Sequence, residues 1–144
     1  MNSTLSKNSQ YLANKLLGCK YEVNGTDPNG FDCWGLAWYV LTESGFNIPN
    51  KYDYVLRSNP RDLINLTEQA KSDPNWIKLD KPEPLCLVGF AQGKAVTHVG
   101  IWLGLEDKVL HATTQFGVTC ETLTNIERTR NLTSNFYKWQ NSIQ

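Results

Sequence analysis

Apolar and polar residues alternate along the second half of this chain. CLVGFA (Cys86 to Ala91) and AVTHVGIWL (Ala95 to Leu103) are apolar runs rich in β-branched residues, separated by Gln92-Gly93, which fits a tight hairpin turn. KVLHAT (Lys108 to Thr113) and GVTCET (Gly117 to Thr122) follow, and a last strand is predicted over Asn135 to Trp139. The first half instead places apolar residues at helical spacing. A first helix is predicted from about Ser9 to Leu17, with Leu12 and Leu16 on one face and Gly18 as its stop. A second runs from Cys33 to Ser44, with Asp32 as N-cap, Leu36, Val40 and Leu41 as its buried face and Gly45 as its end. A third begins at Asn59-Pro60, a cap followed by proline, and puts Leu63, Leu66 and Ala70 on one side. Ser72 to Pro84 holds three prolines and is predicted to be irregular. Cys19 to Phe31 holds three turn pairs, Asn24-Gly25, Asp27-Pro28 and Asn29-Gly30, and reads as an ordered loop leading into Cys33. Helices first and strands after them predict an α+β fold, N-terminal helices packed on an antiparallel sheet of about five strands. No repeat or linker divides the chain, so residues 1–144 are expected to form one domain.

Composition narrows the partners. Lys and Arg number 14, and so do Asp and Glu, so no net charge attracts nucleic acid or an anionic membrane. No stretch is long and apolar enough for a membrane span, and the N-terminus lacks the apolar core of a signal peptide. The expectation is a protein made in the cytoplasm and not exported by the general signal-peptide route. The four cysteines, Cys19, Cys33, Cys86 and Cys120, form no CxxC pair, which disfavours zinc; Cys86 and Cys120 lie in apolar runs and read as buried small hydrophobes.

Chemistry concentrates in GFDCWGLAWY, residues 30 to 39. A thiol at a helix start sees the positive end of the helix dipole and unpaired N–H groups, both of which favour thiolate. The only two histidines, His98 and His111, sit in the strands downstream. By alternation Val96, His98, Gly100 and Trp102 share a face, as do Val109, His111 and Thr113. A tight turn at Gly104-Leu105 sets the two histidines opposite one another; a turn at Glu106-Asp107 shifts them. In either case both can point at one helix terminus. The roles that follow are Cys33 as nucleophile, paired with His98 as a thiolate–imidazolium base, and His111 fixing the tautomer of His98. The Cys33 N–H would serve the oxyanion, and Gly100 would leave room beside the base. No ligand spacing supports a metal at these three residues, and no cofactor is expected.

The segments LLGCKYEVNGTDPNGFDCWGL, THVGIWLG and VLHA, in this order, resemble the NlpC/p-sixty superfamily of bacterial and phage cell-wall peptidases over about Tyr11 to Trp139. Tryptophan after the cysteine and FNIPNKY after the second helix look most like the subgroup attached to phage tails. The resemblance implies a papain-like fold and a cysteine endopeptidase that cuts peptidoglycan stem peptides between γ-D-glutamate and a diamino acid. It implies the Cys33, His98 and His111 triad, Tyr21 beside substrate and oxyanion, and Asp32 helping to hold the stem peptide. It also implies action at the bacterial cell wall, with phage-tail or injection-device proteins as partners. Two positions depart from the pattern. Trp34 stands where serine often binds the substrate amine, so its indole either borders the groove as an apolar wall or packs into the core. Leu85-Cys86 replaces the Gly-Asp that usually opens the first strand. The alternatives are a non-catalytic module of a tail tip, or an amidase or thiol acyltransferase on the same fold.

Overall fold

The strongest strand patterns become the centre of the sheet. In the computed structural model, which describes residues 2–49 and 60–140, β4 (Leu87–Gln92), β5 (Ala95–Trp102), β6 (Lys108–Thr113) and β7 (Gly117–Thr122) form an antiparallel meander. Two further strands extend it beyond β4. β8 (Thr133–Trp139) pairs with β4 on one side and with β3 (Trp76–Leu79) on the other, giving the order β3-β8-β4-β5-β6-β7. The sheet therefore has six strands rather than five. β3 lies inside the stretch expected to be irregular. Pro74, Pro82 and Pro84 flank it instead of interrupting it, so its four residues pair freely along one edge.

One face of the sheet carries the main core. α2 (Cys33–Glu43) buries nearly its whole circumference over its first turns, through Trp34, Leu36, Ala37, Val40 and Leu41. It packs with Val99, Ile101, Leu110 and Ala112 of the sheet. α1 (Asn2–Leu16) begins earlier than its apolar pattern predicts, adds Ala13 and Leu16 to this core, and stops at Gly18 with φ 87°. α3 (Pro60–Lys71) starts at the expected proline, and Ala70 packs on the same core. The predicted cap Asn59 and the side chains of Leu63 and Leu66 lie outside the described residues.

The other face is covered by a helix that the apolar pattern does not announce. α4 (Leu123–Arg130) is capped by Thr122, whose hydroxyl accepts from Asn125 N at 3.1 Å, and it ends at Asn131 with φ 55°. Ile126 is its only fully buried residue, too little for a visible stripe, and it packs with Val88, Phe90 and Val109.

Two irregularities set the site. β5 carries a bulge: Phe90 pairs with His98, but Ala91 pairs with Val96, leaving Thr97 as the extra residue. Val96 therefore joins Val99 and Ile101 in the main core instead of sharing a face with His98. The β5–β6 register is Ile101↔Leu110 and Trp102↔Val109, and Glu106 and Asp107 both have positive φ. The later of the two candidate turns is used. That register carries His111 opposite Gly100, diagonal to His98. A Cβ on Gly100 would lie 3.2 Å from the His111 Cβ and 2.7 Å from Val109 Cγ1, so this glycine makes room for the neighbouring strand.

Candidate active site

The helix carrying Cys33 starts where Asp32 holds two strands of backbone together. Asp32 is extended (φ −93°, ψ −179°) and only 1% exposed. One carboxylate oxygen accepts from Gly35 N at 2.7 Å, capping the helix, and the other accepts from Asn24 N at 2.9 Å. A short hairpin, β1 (Thr26–Asp27) and β2 (Gly30–Phe31), makes up the centre of the preceding loop. Phe31 N donates to Lys20 O and Glu22 N donates to Phe31 O, both at 3.0 Å, and Tyr21 bridges Phe31. The side chain of Tyr21 is half-buried against the core. The same segment is tied to the sheet through Val118 N, which donates to Cys19 O at 2.9 Å. Val118 pairs with Ala112, the neighbour of His111. The loop that precedes α2 is thus anchored on β7, beside the Val118–Ala112 pair. Cys33, 7% exposed, is the first residue of α2, where the helix dipole and the first-turn N–H groups favour a sulfur anion.

The histidines meet on the sheet. His98 is half-buried and stacked on Phe90, with ring centroids 5.7 Å apart. Its Nε2 lies 2.7 Å from Nδ1 of His111. His111 is fully buried, and its Nε2 lies 2.6 Å from Glu121 Oε2. Asn125 Nδ2 donates to the other Glu121 oxygen at 2.7 Å. Burial, then the neighbouring His111 and Arg130, lower the His98 pKa to about 3. Burial lowers that of His111 as well, against the opposing pull of Glu121. Both shifts disfavour positive charge on the two rings.

Neither Glu121 nor Asn125 stood out in the sequence. Alternation in GVTCET sets Thr119 and Glu121 on the face of His111, which was a usable signal for Glu121. Asn125 depends on the unannounced α4. Among the described residues no group of three or more His, Cys, Asp or Glu could hold a metal ion, and no helix is long and apolar enough to cross a membrane. Two of the other cysteines are disfavoured as thiolates. Cys86 is buried, which pushes its thiol up to about 12, and half-burial raises that of Cys120.

Trp34 takes the second of its two expected positions. It is 2% exposed and meets Trp76 edge-on at 6.3 Å, and Trp76 meets Trp139 at 5.0 Å. It borders an apolar cavity of about 30 Å³ with Trp76, Leu87 and Val99, on the main-core face of the sheet and away from the histidine pair. The indole is buried and packs edge-on against Trp76. The Asp32 oxygens accept from backbone N–H groups of the loop and of α2. Trp34→Ser is expected to lower stability by about 3–5 kcal/mol, read by thermal denaturation, and to leave the ranking of muropeptides unchanged.

Residues 18–136 match the NlpC/P60 family, a span holding Tyr21, Asp32, Cys33, Trp34, His98, His111, Glu121 and Asn125. The chain belongs to the NlpC/P60 family. A curated relative, "Probable endopeptidase p60" of Listeria seeligeri, is 32% identical over 92 residues. That alignment covers 64% of this chain and 15% of the relative, so the chain spans under a fifth of the curated proteins it matches. Among solved structures, the NlpC/p60 domain of peptidoglycan hydrolase SagA has a TM-score of 0.56 at 20% identity, covering 91% of this chain and 97% of that one. The P60 domain of a Mycobacterium avium subspecies paratuberculosis antigen has a TM-score of 0.59 at 20% identity, covering 98% of each. An NlpC/P60 protein from Bacillus cereus has a TM-score of 0.63 at 21% identity, covering 90% and 39%. The fold is thus that of NlpC/P60 domains. The glycine that usually opens the first strand of this family has a visible conformational reason here: Leu85 adopts φ 66°, a left-handed conformation that glycine takes without strain. Its N–H donates to Trp102 O at 2.8 Å, continuing the ladder above β4.

Proposed function

We propose that this domain is a cysteine endopeptidase that cleaves the stem peptide of peptidoglycan, with Cys33 as nucleophile, His98 as base and His111 as the orienting residue. The observation that carries the reading is the 2.7 Å contact between His98 Nε2 and His111 Nδ1; the other nitrogen of His98 is the one assigned to the thiol in this proposal. His98 takes the Cys33 proton as sulfur attacks the carbonyl carbon. The Cys33 N–H stabilises the resulting oxyanion. On collapse the C–N bond breaks, and the imidazolium gives its proton to the leaving amine. Water, deprotonated by His98, then hydrolyses the thioester and frees the thiol. Family membership and relatives named as endopeptidase and peptidoglycan hydrolase support the substrate class. The bond proposed is that between γ-D-glutamate and the diamino acid, with Tyr21 beside the substrate and Asp32 shaping the loop that meets it. Action at the cell wall, delivered by a phage tail or similar injection device, is the setting supported by the FNIPNKY segment and the Trp34 signature.

Mass spectrometry of muropeptides after incubation with the purified protein tests this reading. Products ending in γ-D-glutamate are expected. Intact muropeptides, or stem peptides released whole from the sugar as an amidase would do, would overturn it. Iodoacetamide at neutral pH is expected to label Cys33 before Cys19, Cys86 or Cys120, as peptide mapping would show. Prior labelling of another cysteine would count against Cys33 as the nucleophile.

A further inference from the structure

Beyond the triad, four side chains form one hydrogen-bonded row: His98 on β5, His111 on β6, Glu121 on β7 and Asn125 on α4. The contacts are 2.7, 2.6 and 2.7 Å. We propose that Glu121 is a positioning residue for the base: acting through His111, it fixes the direction of the protons in this row so that His98 presents an unprotonated Nδ1 to the thiol. The inference rests on the peptidase reading of Cys33 and His98, and deepens it.

The direction follows from which groups can donate. The Asn125 amide nitrogen only donates, and it points at Glu121 Oε1. An ionised carboxylate only accepts, so Oε2 takes the proton of His111 Nε2. A neutral imidazole carries one N–H, so Nδ1 of His111 is bare. It must then accept from His98 Nε2–H across their 2.7 Å contact. The one lone pair left in the plane of the His98 ring is at Nδ1. The reverse order needs a protonated Glu121 and leaves a hydrogen on His98 Nδ1, where it cannot act as a base. The charge of Glu121 therefore selects between a competent and an incompetent base. Its charge favours positive charge on His111, against Arg130, which disfavours it on both rings. A direct partner of His111 alone would not need this geometry. Here full burial of His111 leaves it no water with which to choose the other tautomer.

The chain has only two histidines, so ring-nitrogen NMR of the labelled protein resolves both tautomers without ambiguity. Both rings are expected in the Nε2–H form. A Nδ1–H tautomer on His98 in the folded wild type overturns the proposal with no variant needed. Glu121→Ala is expected to mix the His98 tautomers, to cut kcat on muropeptides at least about tenfold with KM little changed, and to slow Cys33 alkylation by a similar factor. Glu121→Gln, whose amide oxygen can still accept from His111, is expected to keep the tautomers and most of the rate. Wild-type tautomers and rates in Glu121→Ala would overturn the role. So would equal losses in both variants accompanied by a lower melting temperature, which mark a merely structural residue. If Glu121→Ala does not fold, the wild-type tautomers together with retained tautomers and rate in Glu121→Gln decide. If the wild type cleaves no muropeptide, the peptidase reading fails, while the tautomer and alkylation measurements still judge Glu121.

Discussion

Cys33→Ala is expected to abolish muropeptide cleavage, a fall of at least about 10⁴-fold in kcat, while the protein stays folded. The two halves of this expectation have separate causes. Without sulfur there is no nucleophile and no thioester, and what remains is whatever the oxyanion donor and binding supply to attacking water. The fold does not depend on the thiol in the same way. Asp32 caps α2 through Gly35 N and pins the loop through Asn24 N, and neither bond involves the sulfur. Removing one buried sulfur from the main core costs on the order of 1 kcal/mol. His98→Ala is expected to lose nearly as much activity, and the double variant no more than either single one, since the two residues act as a unit. His111→Gln is expected to keep part of the rate. A glutamine can accept from His98 with its oxygen and donate to Glu121 with its nitrogen, as the imidazole does. Steady-state kinetics beside melting curves check the series. An active Cys33→Ala, or full activity in His111→Ala, would sink the triad.

The sequence made the meander, the capped α2 and the cysteine–histidine–histidine order legible because each rests on a local signal. β6 and β7 span the predicted residues, and α2 falls one residue short of its predicted end at Ser44, which serves as its C-cap. The missing pieces rest on tertiary context. Among the described residues β3, four residues long, pairs only with β8, a partner 57 or more positions away, so no short-range pattern announces it. α4 is held by one buried isoleucine and a threonine cap. The bulge at Thr97 turns Val96 away from His98, and an alternation rule that assumes a regular ladder cannot foresee that. The site was legible to the same extent. The His98–His111 pairing was readable as two strand histidines near one turn. The choice of turn depended on the positive φ of Glu106 and Asp107, and Glu121 depended on the register of a third strand. Trp34 was ambiguous because burial of an indole is decided by neighbours such as Trp76, distant in sequence.

Gly35→Ala is expected to be strongly destabilising, against what helix propensity alone would say. Gly35 lies inside α2, where alanine is ordinarily better by about 1 kcal/mol. A Cβ at this position, however, would lie 1.7 Å from the carbonyl oxygen of Gly25 and 2.8 Å from its carbon. No rotamer relieves a clash between a Cβ and another residue's backbone. The Gly25 oxygen is also held in place. It accepts from Asp32 N at 3.2 Å, while Gly25 N donates to Glu22 O at 2.9 Å. The loop itself has no slack, since a Cβ on Gly25 would lie 2.2 Å from Gly30 O. Relief therefore requires the loop to lift off the first turn of α2, which breaks the Gly25–Asp32 bond and strains the Asn24–Asp32 bond. Losing or weakening two partly buried hydrogen bonds, with the displaced packing, outweighs the propensity gain and leaves a net loss of about 2–4 kcal/mol. The same displacement shifts Cys33 and Tyr21, which ride on the two pieces that separate. Activity at a temperature where the variant is still folded should then fall more than the folded fraction does. Gly93→Ala is the control. That glycine has open space around it and a φ of 64°, so only the left-handed backbone is penalised, by about 1–2 kcal/mol, with kcat unchanged. Urea denaturation and kcat measured on both variants separate the effects. A Gly35→Ala protein as stable as wild type would mean that the loop is not seated on the helix as described, and the tight approach to Cys33 would have to be redrawn.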